Sequence, residues 1–504
     1  MKKFRVTTQQ LKKSILGKII IPITQNLDRD ELLDSLSHLN GLDILRTLDA
    51  FEAKQGEFWR VLHESGEIFL VGLGKNPDLA TIYKVLRKFS NDQRKNLDVE
   101  VGLYLHEANI STQNSSISFA EIIEYAVNGI FTGTNLLSLQ SEGADVHPME
   151  TLVLLENDEN QSSTSFESKV LSAKKGLILA ESQLSAMHLI NIPSNWKNPL
   201  QFADTVKDLA EKWGFHCEIF DEARLKDEHF DALLAVNRGS EHPARFIVLQ
   251  YDGTTDSDEE LPLIALIGKG VTYDTGGLSI KPSESMVHMK CDMGGAAVVL
   301  AATEAAARLR LKIRLLTVIP LTDNLVDARS IKPGDIIGSY SGKTIEVIDT
   351  DAEGRLILAD AIGWVVKNAS PDYMIDLATL TGSAVRTFGP HASAMFTNNK
   401  NLSTLLSETG EKSGERVWPL PLWDVYKDDI RSDVADVRNF SGKPVAGSIS
   451  AAKFLEYFTE EHPAWVHLDV AGTVYGDTEF GKQKNATGYG VRLIVETLIK
   501  LSHT

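Results

Sequence analysis

The stretch DTDAEGRLILADA, residues 349–361, sets Asp349, Asp351 and Glu353 within five residues, adds Arg355, and then turns into an apolar, helix-like run. If the chain from Thr344 to Glu353 is extended, the three carboxylates point to one face, because side chains alternate along a strand. Like charges on one face repel each other unless a cation binds among them. A helix start explains one or two of the acids, since they favour a helix N-terminus and Asp351 could cap a helix from Gly354 onward. It does not explain Arg355, whose charge opposes the helix dipole unless an anion sits there too. Taken alone, the stretch leaves both readings open.

A second cluster lies upstream, in GKGVTYDTGGLSIKPSESMVHMKCDMGGAA, residues 268–297. It holds Lys269, Asp274, Lys281 and Asp292. Lys269 falls at the C-terminal end of an apolar run, where open α/β sheets bind ligands. Gly276 and Gly277 permit close backbone approach. Asp292 lies just before the Gly-Gly start of an Ala-rich helix. By itself this cluster could be a surface loop with scattered charges. Two clusters at strand ends, each with carboxylates and cations, indicate one shared carboxylate-lined metal site. Oxygen-rich sites suit Mg²⁺ or Mn²⁺, and Zn²⁺ accepts them as well. His288 lies beside these residues, but a lone His is more often a surface or core residue than a ligand.

Strand-like and helix-like segments that could position these groups alternate along the chain. Residues 68–74, 99–105 and 151–156 read as buried strands, with a helix over 119–131. The polar, Ser-rich run 157–169 is the candidate domain boundary, and the segment after it has helical spacing. Residues 246–251 and 261–273 read as two strands flanking an acidic turn, 294–310 as an Ala-rich helix, and 312–322 and 373–382 as further strands. The fold class is α/β with two domains. The smaller spans 1–165, a connecting helix 166–190, and the larger 191–504, with helices on a mostly parallel central sheet.

Several familiar motifs fail. GDIIGSYSGKT lacks the first glycine of a phosphate-binding loop, because Ile337 stands there. GKGVTY lacks the third glycine of the dinucleotide fingerprint. No H-E-x-x-H or G-x-S-x-G occurs. The formal net charge of −18 argues against nucleic-acid or anionic-membrane binding, which want basic surface. Two distant cysteines, Cys217 and Cys291, imply no disulfide framework. The N-terminus is basic, but its apolar run is broken by Lys18 and no small-residue cleavage site follows, so no signal peptide is expected, no transmembrane helix is expected, and the expected location is cytoplasmic.

DTDAEGRL resembles the N-T-D-A-E-G-R-L signature of the leucine aminopeptidase (cytosol aminopeptidase) family. KGVTYDTGGLSIKP followed by MKCDMGGAA resembles that family's other site segment. Weaker echoes are NIPSNWKNP, DLATLTG, WPLPLWDVY, SDVADVRN and HLDVAGT, so the resemblance covers most of 180–504. It implies a macro-like N-terminal domain and a catalytic domain holding two divalent ions, Zn²⁺ or Mn²⁺, with Mg²⁺ also accommodated. By position in the motifs, Lys269, Asp274, Asp292 and Glu353 would hold one ion. Asp274, Asp351 and Glu353 would hold the other, with Asp274 and Glu353 bridging. Lys281 and Arg355 would be the catalytic side chains, with bicarbonate at Arg355. The matching pocket for the substrate's first side chain is Met289, Thr379, Leu380 through its backbone carbonyl, Gly382, Ala471 and Val474. Core packing explains Val474 equally well.

The activity so implied is release of N-terminal leucine and other apolar residues from peptides by a homohexamer. A DNA-binding regulator of the same family is the alternative, which the acidic charge disfavours, and another dimetal hydrolase such as a phosphoesterase is a further rival. One position departs from the signature: Asp349 replaces the family's Asn. Its extra charge would tighten metal binding and shift the pH optimum upward. Alternatively, it turns into a local backbone hydrogen bond, as Asn would.

Overall fold

Two apolar patterns build two sheets. The computed structural model describes residues 3–10, 17–25, 27, 50–63, 66–112, 117–135, 147–156, 164–254, 261–477, 479–480 and 483–503. The expected boundary run and acidic turn fall partly outside these, at 157–163 and 255–260. The chain divides into two compact units, Met1–Leu184 with Lys412–Gly414, and Ser185–Glu411 with Glu415–Thr504.

The first unit holds a six-stranded sheet in the order β1-β6-β5-β2-β4-β3. Its strands are β1 (Arg5–Gln10), β2 (Lys18–Ile23), β3 (Phe58–His63), β4 (Gly66–Gly72), β5 (Glu100–Tyr104) and β6 (Thr151–Glu156). All its pairs are parallel except β3 with β4. Helices α1 (Leu79–Asp92) and α2 (Phe119–Thr132) pack together. Ser118 and Glu121 start α2 with a reciprocal capping box, which satisfies two otherwise orphaned backbone donors. Helix α3 follows over Phe166–Asn191.

The second unit is ordered around a larger sheet, β16-β15-β18-β14-β9-β11-β8-β7, with β10 beside β11. The strands are β7 (His216–Phe220), β8 (Arg245–Asp252), β9 (Leu263–Gly268), β10 (Gly270–Asp274), β11 (Arg314–Asn324), β14 (Tyr373–Ala378), β15 (Ser393–Thr397), β16 (Val417–Pro419) and β18 (Trp465–Asp469). Short strands β12 (Ile336–Ile337), β13 (Ile345–Glu346) and β17 (Val437–Arg438) form a separate small sheet. The centre, β18-β14-β9-β11, is parallel, and β7, β8 and β15 pair antiparallel toward its edges. Ala265 and Ile267 of β9 join one buried cluster with Leu356, Ile357 and Ile362 of α8 (Glu353–Asn368). Helices α4 (Pro199–Trp213), α5 (Glu222–Asp227) and α6 (Asp231–Asn237) precede α7 (Gly294–Leu309), which packs against β9 and β14 as well. Burial on both faces explains why the central strands read as unbroken apolar runs. Among the described residues no helix is long and apolar enough to cross a membrane.

Two sequence expectations need correction. The strand read over 261–273 breaks at Lys269, which lies between Gly268 and Gly270, and becomes β9 and β10. The segment from Thr344 to Glu353 is not extended throughout. Only Ile345 and Glu346 are strand, and Glu353 opens α8 behind an Ala352 N-cap, not an Asp351 cap.

Candidate metal centre and active site

The break after β9 leaves Lys269 at the C-terminal edge of the central sheet, 2% exposed. Its Nζ lies 2.7 Å from Asp292 Oδ1 and 2.8 Å from Glu353 Oε1, and donates to the Thr379 carbonyl at 3.0 Å. Lys281 Nζ lies 2.7 Å from Asp274 Oδ2 and also pairs with Asp351. One carboxylate oxygen from each of Asp274, Asp351 and Glu353 falls within 4.8 Å of the others. The two sequence clusters thus meet in space, with Lys269, Asp274, Lys281, Asp292, Asp351 and Glu353 in one group.

Two glycines make this approach possible. A Cβ on Gly354 would lie 2.4 Å from Lys269 Cε and 2.6 Å from Nζ, so the lysine occupies the space beside the helix start. Gly276 has φ +87°, and a Cβ there would lie 2.7 Å from Asp351 Oδ1. Polar side chains then lock the two segments together. Asn324 Nδ2 donates to Asp274 Oδ1 at 2.8 Å and to the Thr350 carbonyl at 3.0 Å. Thr350 Oγ1 donates to the Gly276 carbonyl at 2.7 Å and accepts from Ser279 N at 2.8 Å.

The electrostatics call for further cations. With all four ionised, the carboxylates of Asp274, Asp292, Asp351 and Glu353 would exceed the two ammonium groups they face, Lys269 and Lys281, by two negative charges. Burial pushes Asp292 and Asp274 above the usual carboxylate range. Burial, then Glu353 and Asp274, push Asp351 up to about 7. Against burial, Lys269 and Lys281 hold Glu353 below its ordinary value. Asp292 Oδ2 and Glu353 Oε2 are buried and accept no hydrogen bond. A desolvated carboxylate oxygen with no donor is costly. Divalent ions fit this donor set, since they supply the missing charge and occupy the free lone pairs.

Arg355 lies in the first turn of α8, 5% exposed. Its Nη1 donates to the Asn439 carbonyl at 2.6 Å, while its buried Nε has no partner. Burial lowers its pKa to about 10, against the nearby Glu353, Asp349 and Asp469. The guanidinium therefore stays charged at neutral pH and keeps a donor free for an anion. Asp349 follows the second of its two expectations: its Oδ1 accepts from Asp351 N at 2.9 Å, a turn that an Asn carbonyl could close equally.

The remaining sequence-predicted positions divide. Thr379 Oγ1 donates to Asp292 Oδ1 at 2.8 Å, which ties it to the carboxylate group. Thr379 and Val474 both flank Gly294, whose added Cβ would lie 3.3 Å and 2.8 Å from their γ-carbons. Val474 is 1% exposed, as core packing also requires. Met289 is half-buried on the turn Met289–Cys291 that ends at Asp292. Leu380 and Ala471 both donate their N–H to Asp469 Oδ1. Gly382 is the exposed first residue of α9 (Gly382–Phe388). His288 faces the Tyr475 ring at 6.0 Å and joins no carboxylate.

Asn439, fully buried, escaped the sequence reading. Its Oδ1 accepts from Ile348 N at 2.8 Å and Asp349 N at 3.3 Å, and its Nδ2 donates to the Asp349 carbonyl at 2.6 Å. The loop that delivers Asp351 and Glu353 is thus clamped from a residue about 90 positions away in the chain. Its only sequence signal was membership in SDVADVRN.

Comparison with known proteins agrees with this geometry. Residues 185–495 match the family described as "Cytosol aminopeptidase family, catalytic domain". A protein of Chloroherpeton thalassium named "Probable cytosol aminopeptidase" is 37% identical over 519 residues, covering 98% of this chain and 99% of its own. A mutant of tomato leucine aminopeptidase superposes with TM-score 0.84 at 30% identity, covering 99% of this chain and 97% of that one. The bottromycin maturation enzyme BotP in complex with Mn superposes with TM-score 0.82 at 29% identity, covering 96% and 99%. A match across more than half the chain and a relative this similar over nearly all of it leave one assignment: the chain belongs to the cytosol aminopeptidase family and is a metal-dependent aminopeptidase.

Proposed function

We propose that this aminopeptidase acts through two divalent ions, Mn²⁺ or Zn²⁺ with Mg²⁺ a further candidate, and prefers leucine and other apolar N-terminal residues. The observation that carries this reading is the pair of buried, partnerless oxygens, Asp292 Oδ2 and Glu353 Oε2, inside a four-carboxylate group. Lys269, Asp274, Asp292 and Glu353 would hold one ion, and Asp274, Asp351 and Glu353 the other. When bound, the ions would supply an activated water and a grip on the substrate's free α-amine, and bicarbonate a proton acceptor beside them. Lys269 as a ligand must be neutral, which a dication beside it favours.

The other roles belong to the chain's own groups. Against the effect of burial, Asp274, Glu353 and Asp351 hold the Lys281 pKa above its ordinary value, so its ammonium stays charged. Lys281 would donate a hydrogen bond to the scissile carbonyl oxygen as negative charge grows there. The unpartnered Nε of Arg355 would hold bicarbonate. Met289, Thr379, Gly382, Ala471 and Val474 would line a small apolar pocket for the first side chain, with the Leu380 carbonyl at its edge. Assembly into a homohexamer is proposed on the family resemblance, and sedimentation velocity would test it.

The deciding assay is hydrolysis of leucine p-nitroanilide and its N-acetyl form, with and without chelator. Turnover of the free amine alone, lost with chelator and restored by Mn²⁺ or Zn²⁺, is expected. Equal rates on both substrates, or full activity after complete metal removal, would overturn the reading.

A further inference from the structure

We propose that Asp469 is a positioning residue that sets selectivity for the substrate's N-terminal side chain by fastening two loops to each other. The proposal rests on the reading of Thr379, Leu380, Gly382, Ala471 and Val474 as that pocket. Strands β14 and β18 are parallel neighbours, and Ala378 is paired with Asp469 at their C-terminal ends. The loops that leave these two strands carry the five pocket residues just named. Such loops at the carboxyl edge are where open α/β sheets form their sites.

Asp469 is 1% exposed and joins both loops at once. Its Oδ1 accepts from Leu380 N at 3.1 Å and from Ala471 N at 3.2 Å. Its Oδ2 accepts from Thr381 Oγ1 at 2.6 Å. Thr381 Oγ1 in turn accepts from Ala384 N at 3.1 Å at the start of α9. The other end of the same short segment is held by the carboxylate group, through Thr379 Oγ1 on Asp292 and the Thr379 carbonyl under Lys269. The segment Thr379–Thr381 is therefore strung between the candidate metal centre and Asp469. If the Asp469 end were released, the metal-side end would stay anchored while the pocket wall could shift.

The acceptor pattern dictates which substitution should preserve the device. An Asn at this position keeps one oxygen for the Leu380 and Ala471 N–H groups, and its amide can donate to Thr381 Oγ1 once that hydroxyl turns. An Ala keeps none of the three bonds and leaves two backbone donors without their acceptor. Thr381→Val removes one tether at nearly constant shape.

The test compares Asp469→Ala, Asp469→Asn, Thr381→Val and Val474→Ala with the parent enzyme, all Mn²⁺-loaded, on leucine and alanine p-nitroanilides. One methylene more or less in a hydrophobic pocket is worth roughly 10–200-fold, so Asp469→Ala, by loosening the pocket wall, should cut the leucine-to-alanine ratio of kcat/KM by about tenfold. Thr381→Val should move it less in the same direction, and Asp469→Asn should keep it. Hydrogen exchange on the metal-free proteins should show faster exchange of the Leu380 and Ala471 amides in Asp469→Ala and retained protection in Asp469→Asn. Proportional loss on both substrates with the ratio unchanged would make Asp469 merely structural and overturn the proposal. If Asp469→Ala does not fold, an unchanged ratio in Thr381→Val overturns it instead. Val474→Ala separates the two levels: if it too leaves the ratio unchanged, the pocket reading itself fails.

Discussion

Asn439 should be worth more to the metal centre than its distance from the motif suggests. Asn439→Ala deletes a donor to the Asp349 carbonyl at 2.6 Å and an acceptor for Ile348 N at 2.8 Å. The longer contacts, 3.3 Å from Asp349 N and 3.4 Å to the Ala352 carbonyl, add little. Each backbone group stranded by such a deletion costs about 1–3 kcal/mol, so with two such groups the metal-free protein should lose about 2–6 kcal/mol in urea denaturation. The Arg355 tether survives, because it uses the Asn439 backbone carbonyl. The freed loop carries Asp351 and Glu353, and losing a group that orients ligands costs roughly 10–100-fold in metal affinity. Asn439→Asp tests whether the donor matters, for it keeps the shape but turns an acceptor toward two carbonyls. It should be no better than Ala. The assay is competition for Mn²⁺ against a chromophoric chelator, run beside the urea titrations. If Asn439→Ala were destabilised yet bound Mn²⁺ within about twofold of the parent, under about 0.5 kcal/mol, the ligands would be aimed without Asn439 and the reasoning would be refuted.

Four further outcomes follow from the geometry. Gly354→Ala places a methyl 2.6 Å from Lys269 Nζ and should release bound Mn²⁺ on dialysis; full metal retention would contradict the packing described. Lys281→Ala should lower kcat by roughly 10²–10³-fold, as loss of an oxyanion donor does, whereas Arg355→Ala should be milder and partly rescued by added bicarbonate; equal, unrescued losses would contradict these roles. Asp360 is held up to about 7 by burial, against hydrogen bonds from Leu233 N and Tyr340 N. The folded state therefore keeps its proton between about pH 4 and 7 while the unfolded chain does not, and stability falls as pH rises through that window; in Asp360→Asn the part of the slope due to this group, up to about 4 kcal/mol, should vanish, and unchanged urea midpoints against pH would refute it. Asp349→Asn keeps the acceptor for Asp351 N, so its metal retention and kcat/KM profile against pH should match the parent, and a shift of about one pH unit would show that the charge reaches the ions after all.

How much of the fold was legible depended on whether the signal was local. The Ala-rich helix over 294–310 was read nearly to its ends, because composition and length agree with the observed Gly294–Leu309. The break at Lys269 was hidden, because a strand buried on both faces and a kinked continuation share one apolar spelling. Strand order is a non-local property. β8 and β9 are adjacent in sequence, and nothing in their own residues announces that β11 will lie between them.

The same distinction divides the site. Its candidate ligands and charged groups stand in two short runs, and their crowding is improbable without a cation, so the sequence exposes them. The groups that aim them do not crowd. Asn439 is about 90 residues from the loop it clamps, Asn324 is 50 residues from Asp274, and Asp469 is nearly 90 from Leu380. Each stands among ordinary polar and apolar neighbours, the pattern of countless surface positions. Only burial distinguishes them, since a fully desolvated Asn or Asp must find partners. Asp349 shows the converse error. Charge counting set it on one face with Asp351 and Glu353 if the segment were extended, because it precedes Asp351 by two residues. The chain is not a strand there, and the carboxylate turns back onto the Asp351 amide. A charge two residues from a ligand is thus no guide to the field at the metal centre until the backbone between them is known.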